Sequence, residues 1–485
     1  MITVSLVICA FWGARAEEAG AVEPDKVYYL GSDSFPSLAD MRDKTVDALT
    51  EWYPSKPSPM GMAESWSDKE TPHNGPVYVA RATNGCDVLW TPFQTSSTVY
   101  DMFKTLVLTG GIKLFLFQAS GQTATFNDLR IDGSAEILLA NNGGSTILDG
   151  RVELMDSNTT LTFRSWNGRA FKIKSEISGN GTILLTSFSG TSTTGCSYEI
   201  PTMNSNFKGK VVVSSNDGKA SQYTTVAITN EYALGGALDE FTYDALHIKN
   251  WSCLKYEGAS NLVLSASSNR GILIGSTASS DRGCVSVTDP EGVLTVNCPI
   301  TLGNKRYLRK YGMGRLVLGN GLKFMNKNDV FIDNTAGTSD NKNIFYYIEV
   351  NAGTLSATHV DAINGACVAF SNDTALVMNV DVTDASIKKW GLRCDKTRYA
   401  SALSTDIPIR ICASDIKNIT ESKYRIPLLT VKDAYAEGDA AKLKVTVDIP
   451  GYRLNEITSA AADGITKATT FYADILHNGL VISVR

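Results

Sequence analysis

The chain has 485 residues, 43% of them hydrophobic, with 45 Lys plus Arg against 50 Asp plus Glu. That balance excludes wholesale disorder, and the absence of any basic run argues against nucleic acid and anionic membranes as partners. The 40 glycines against 14 prolines, among abundant Thr, Val, Ser and Asn, suit many short strands joined by tight turns.

Residues 2–13 form an apolar run followed by Ala14-Arg15-Ala16, a small-x-small cleavage site, so residues 1–16 read as a signal peptide. Ala19-Gly20-Ala21 offers a second cleavage site. No Lys or Arg precedes the run, and a buried N-terminal strand is the alternative. No other segment approaches the ~18 apolar residues of a membrane helix, so no membrane span is expected. Residues 17–75 are interrupted by Pro24, Pro36, Pro54, Pro57, Pro59 and Pro72. They are expected to form an irregular N-terminal cap with one helix over about 37–52, opening at Ser37 and running through Leu38, Met41, Val46, Leu49 and Trp52.

From residue 76 the texture changes to β-rich runs between polar turns. Val77-Tyr-Val-Ala, Thr105-Leu-Val-Leu, Ile112-Lys-Leu-Phe-Leu, Ala135-Glu-Ile-Leu-Leu and Thr160-Leu-Thr-Phe alternate with Gly110-Gly111, Asp132-Gly133 and Asn167-Gly168. The same beat continues through Thr225-Val-Ala-Ile-Thr, Ala245-Leu-His-Ile, Asn261-Leu-Val-Leu and Gly292-Val-Leu-Thr-Val. An antiparallel sandwich shares this spacing. The length of the regular stretch and the scarcity of tight Asn-Gly hairpins favour a solenoid. The expectation is an all-β parallel β-helix over 76–375, with a β-rich C-terminal cap over 376–485, where the rhythm loosens.

Within that stretch one phrase occurs twice. Ile177-Ser-Gly-Asn-Gly-Thr-Ile-Leu-Leu-Thr is followed by Asn204-Ser-Asn-Phe-Lys-Gly-Lys-Val-Val-Val, and Leu308-Arg-Lys-Tyr-Gly-Met-Gly-Arg-Leu-Val-Leu-Gly by Ile348-Glu-Val-Asn-Ala-Gly-Thr-Leu. Strand, glycine turn and strand recurring at tens of residues mark a stacked repeat. The phrases resemble the autotransporter-associated β-strand repeat of bacterial surface and secreted proteins. In the second, Leu308, Lys310, Gly312, Gly314, Leu316 and Leu318 match L-x-K-x-G-x-G-x-L-x-L, and Ile348, Val350, Gly353, Thr354 and Leu355 match the following I-x-V-x-x-G-T-L. The stretch from Ser65-Trp-Ser-Asp to Phe126-Asn-Asp-Leu-Arg-Ile131 is similar to the lead-in of paralogous sets in Verrucomicrobia–Lentisphaerae bacteria. The resemblance implies a right-handed parallel β-helix that acts outside the inner membrane, with no catalytic residues to transfer. A translocating barrel would need roughly a dozen amphipathic strands, and the residues after the last repeat lack that alternation.

If Cys9 leaves with the leader, an even set remains: Cys86, Cys196, Cys253, Cys284, Cys298, Cys367, Cys394 and Cys412. Disulfides and small buried thiols are both compatible with that set. There is no CxxC, and His73, His247, His359 and His477 lie far apart, so no metal or cofactor is expected. His247 reads as a strand residue facing water. The nearest acidic groupings are Asp239-Glu240 with Asp244, and Asp281-Arg282 with Asp289 and Glu291; solvated turns account for both, and no catalytic residue is assigned. Trp90, Trp166, Trp251 and Trp390 would make a sugar-stacking platform if they shared a face, packing within the coil being the alternative. The sequence therefore points to an exported, secreted or cell-surface, structural or adhesive solenoid. Its expected partners are extracellular glycans or surface proteins. A carbohydrate-active β-helix enzyme, and a passenger fragment separated from its anchor, are the competing readings.

Overall fold

The computed structural model describes residues 28–30, 77–81, 88–90, 96–99, 105–116, 119–139, 145–165, 168–187, 195–215, 223–275, 282–303, 307–325, 330–332, 346–358, 362, 367–370, 375–379, 392–394, 407–412, 422–431, 441, 443–461 and 469–479. The expected leader, the helix over 37–52, and His73, His359, Cys86, Trp166, Asp281 and Trp390 lie outside these residues.

The short apolar runs stack in parallel and in register, giving the expected β-solenoid. Each strand alternates by the two-residue period of a pleated chain. In Ile112–Leu116, for example, Ile112, Leu114 and Leu116 are buried and the lysine and phenylalanine between them lie on the outer face. Inward residues then meet their equivalents one coil away. Leu106 lies opposite Leu129, Leu129 opposite Val152, and Val152 opposite Ile177, all essentially without exposure. Burying each such side chain stabilises the fold by about 1.5–3 kcal/mol relative to leaving it in water.

The coil has three sides. Side 1 climbs through 145–148, Ala170–Ile173, Ser197–Ile200, Thr224–Ile228, Ser252–Tyr256, Arg282–Val287, Tyr307–Tyr311 and Tyr347–Val350. Side 2 begins with Val77–Arg81, Thr105–Thr109, 129–132, 151–154 and Glu176–Gly179. It passes through Phe207, bridged to Gly179, and the 3-10 turn Glu231–Leu234. It then becomes the ladder Asn261–Leu264, Val293–Val296, Arg315–Leu318 and Thr354–Ala357. Side 3 is the 11-stranded sheet, including Thr160–Ser165, Thr182–Ser187, Lys210–Ser214, Thr242–Lys249 and Arg270–Ile274. The 19-stranded sheet covers side 1 and the lower part of side 2 because Thr123–Asp132 and Ser145–Leu154 bend through both; the 7-stranded sheet is the upper part of side 2.

The corners differ. Between sides 1 and 2 the chain turns in a few residues, from Ile173 to Glu176 or from Tyr311 to Arg315. Between sides 3 and 1 the spacing varies widely, from Leu139 to Ser145, from Ser187 to Ser197, and from Met325 to Tyr347.

The two repeat phrases sit at different corners. The first runs from side 2 to side 3, with Lys210–Ser214 stacked on Thr182–Ser187. The second runs from side 1 to side 2, with Thr354–Ala357 stacked on Arg315–Leu318. In each pair the second half is the next coil at the same corner. Gly179 and Gly312 turn with φ of +92° and +76°, and a Cβ at either would overlap the carbonyl of Leu154 or of Val287 in the coil below.

Polar side chains pin these corners across coils. Asn204 is buried; its Oδ1 accepts the Ile177 N–H at 2.9 Å, and its Nδ2 donates to the Ala233 carbonyl at 2.9 Å. Arg270 donates to the carbonyls of Gly209 at 2.8 Å and Gly236 at 3.3 Å, and burial lowers its guanidinium to about 10. Lys310, the lysine of the repeat pattern, donates from Nζ to the carbonyls of Tyr311 (2.9 Å), Gly312 (2.6 Å) and, one coil on, Ala352 (3.0 Å).

Parallel pairing continues beyond residue 375. Ala375–Asn379, Ile407–Cys412 and Leu443–Asp448 extend side 2, and Cys367–Phe370, Leu392–Cys394 and Lys423–Val431 extend side 1. The pattern then changes hand: Thr469–His477 pairs antiparallel with both Lys423–Val431 and Tyr452–Ala461. Asp474, buried in this terminal sheet, accepts two bonds from Arg425 at 2.8 and 3.0 Å. Those bonds hold its carboxyl below the usual carboxylate range. At the other end, Tyr28–Leu30 pairs parallel with Val77–Arg81, within the segment expected to be irregular.

Candidate functional site

On the outer face of side 1 the register lines up small residues. Ser197, Thr225, Cys253 and Cys284 form one row that ends in Arg309 and Glu349. Glu199, Ala227, Lys255, Ser286 and Tyr311 form the next row. Asn250 and Trp251 both adopt left-handed backbone angles, φ 51° and 60°, just before Ser252–Tyr256 begins. Asparagine tolerates that conformation; for a bulky tryptophan it is a strained exception, of a kind concentrated at functional positions.

Trp251 is the centre of a cluster. The Arg282 and Arg309 guanidinium carbons lie 4.6 and 5.0 Å from its ring centroid. Tyr223 meets it edge-on at 6.1 Å and meets Tyr311 in the same way at 6.1 Å. The two tyrosine hydroxyls are 3.3 Å apart, and Arg309 Nη1 donates to each at 3.5 Å. Arg309 Nε donates to Glu349 Oε2 at 2.5 Å. Burial opposes the Arg309 charge, but Glu349 and the tyrosine hydroxyls hold it above the ordinary arginine value. Burial, with the Tyr311 hydroxyl second, pushes Tyr223 well above the ordinary phenol value.

This arrangement offers half-buried aromatic rings beside planar guanidinium groups and a carboxylate. It suits recognition by stacking and by directed hydrogen bonds. The sequence singled out Trp251 as one of four tryptophans for a sugar-stacking platform and Arg282 within an acidic grouping, and gave no sign of Tyr223, Arg309, Tyr311 or Glu349 as site residues. Tyr223 and Tyr311 stand 88 residues apart and meet only through the register of intervening coils. Trp90 lies on side 3, away from this face.

Asp244 pairs with Lys210 at 2.8 Å, on side 3, beyond the turn that carries Asp239 and Glu240. Asp289 and Glu291 occupy the corner after Arg282–Val287, where Asp289 Oδ1 accepts the Glu291 N–H at 2.9 Å; Arg282 lies at the opposite end of that strand, against Trp251. His247 is a half-buried strand residue on the outer face, its Nε2 2.7 Å from the Gly275 carbonyl. Among the described residues no group of three or more His, Cys, Asp or Glu side chains is placed to hold a metal ion, and no helix is long and apolar enough to cross a membrane. Cys196, Cys253, Cys284 and Cys298 are buried free thiols.

Comparison with known proteins finds no family model, no curated protein and no solved structure that matches the chain. The class defined by its geometry is that of the parallel β-solenoids.

Proposed function

We propose that this protein is an exported, non-enzymatic solenoid of the cell surface or the secreted fraction, belonging with the autotransporter-associated repeat proteins, and that it binds extracellular glycans through the outer face of side 1. The observation that carries the reading is Trp251. A large aromatic side chain is held at a strained backbone position, between stacked coils, with two guanidinium groups and two tyrosines against it. An indole stacks on the apolar face of a sugar ring, and arginine and tyrosine donate to hydroxyl or carboxylate oxygens around it. The repeat phrases and the apolar leader-like run support export and the family placement.

The test is a glycan-binding array on residues 17–485, run with and without calcium, with any products followed by mass spectrometry. Binding that is lost in Trp251→Ala and leaves every glycan intact is the expected result. Binding unaffected by Trp251→Ala would remove side 1 from the reading. Shortened or unsaturated products would replace it with that of a carbohydrate-active enzyme.

A further inference from the structure

Four described cysteines are buried, but they are not buried in the same way. Cys196 and Cys298 belong to the apolar interior of the coil. Cys253 and Cys284, 4% and 2% exposed, lie outside that interior, in the outward row of side 1. Arg309, which lies against Trp251, follows Cys284 in that row. Arg309 acts on the charge of Cys284, and Cys284 on that of Tyr223. The neighbours of Cys196 are the Thr186 carbonyl and the Thr224 hydroxyl. Those of Cys298 include Glu231 and Arg270. Cys253 and Cys284 stand side by side, in register on adjacent parallel strands.

We propose that Cys253 and Cys284 are a disulfide site, stapling two adjacent coils beside the Trp251 cluster. The two residues are direct partners in register on parallel strands. Such neighbours sit about 4.8 Å apart, inside the window of about 4.4–6.8 Å between the Cα atoms of a disulfide. Both side chains leave the same face of the same sheet, so a small approach of the two Cβ atoms closes the bond without moving either strand out of register.

The oxidant is a disulfide, either a small-molecule one or that of a dithiol–disulfide oxidoreductase. One protein thiolate attacks it and releases a thiol; the second protein thiolate then attacks the mixed disulfide and releases the other. The protein loses two protons and two electrons, and the oxidant's S–S bond becomes two thiols. Burial raises the Cys284 thiol and leaves it 2% exposed, so exchange is slow until the outer face opens locally. That opening sets the rate. The site is independent of what the outer face binds.

The experiment uses the folded full chain with oxidised glutathione, followed by alkylation of remaining thiols and peptide mapping without reductant. A linked peptide pair containing Cys253 and Cys284, about 2 Da lighter than the reduced pair, is expected. The melting midpoint should rise by about 5 °C, and the rise should vanish in Cys253→Ser or on reduction. Recovery of both cysteines as alkylated thiols after prolonged oxidation, or linkage of either to a different cysteine, would overturn the proposal. The map is made on the unsubstituted chain, so the outcome stands even if a variant fails to fold.

Discussion

The two repeat phrases invite comparison because they look alike and are pinned differently. At the corner of sides 2 and 3 the pin is Asn204, a neutral amide that takes one backbone N–H and gives to one carbonyl. At the corner of sides 1 and 2 it is Lys310, an ammonium that gives to three carbonyls on two coils. The position two residues before the turning glycine is Ile177 in the first phrase and Lys310 in the second, both buried. The shared phrase is therefore a recipe for a corner and does not mark equivalent places on the coil. The free polar groups of each corner are satisfied by whichever side chain reaches them.

The largest break in that comparison should come from the glycines the phrases share. Gly179→Val and Gly312→Val each force a β-branched residue into a left-handed turn and against a carbonyl. Each is expected to cost roughly 3–5 kcal/mol, read by denaturant unfolding, with loss of hydrogen-exchange protection spreading from that corner.

Next come the pins. Asn204→Ala and Lys310→Met are each expected to cost about 2–3 kcal/mol by leaving buried backbone groups unpartnered. They should separate with pH. Burial lowers the Lys310 ammonium to about 8 from an ordinary value of 10.5. The folded chain therefore releases that proton before the unfolded chain does. Stability from this source is fully present above 10.5 and is lost as pH falls through about 8. The gap between wild type and Lys310→Met should widen between those limits, while the gap to Asn204→Ala stays flat. A flat gap for both would show that the lysine is not held against its charge.

The terminal antiparallel sheet sharpens the contrast between pinned coil and closing sheet. Its Asp474 is held below its ordinary value of 3.8 by Arg425, then by Lys423. The stabilisation is present above that value and lost as pH falls through the lower folded one. Acid should therefore loosen 423–431 and 469–477 before the coil. Hydrogen exchange should show this in wild type, and in Asp474→Asn already at neutral pH. The smallest effect on stability belongs to Trp251→Ala, within about 1 kcal/mol, although it should remove glycan binding.

Much of the fold was legible. Runs such as Thr105-Leu-Val-Leu and Asn261-Leu-Val-Leu announce strands, and glycines between them announce turns, because both depend on neighbouring residues alone. Which side a strand occupies depends on how many residues the preceding coils consumed. The corner between sides 3 and 1 makes that number irregular, so the two phrases could not be assigned to different corners in advance. The same irregularity hid the candidate site. Tyr223, Trp251, Arg282 and Arg309 meet only once four coils are in register. Lys310 was visible as a motif position, but an amphipathic charge in a strand pattern gives no sign that it points inward. Arg282 looked close in sequence to Asp289 and Glu291, yet the strand between them carries it to the opposite end, against Trp251.

The uneven corner has one more consequence. Chain length there changes from Leu139–Ser145 to Met325–Tyr347, yet the ladders on either side keep their pairing. Closing a longer loop adds entropy only logarithmically, whereas adding one residue within a ladder would turn every following side chain to the wrong face. The molecule thus takes its largest changes in chain length at this corner, which serves as a splice point. New sequence can enter there without rewriting the coils above and below.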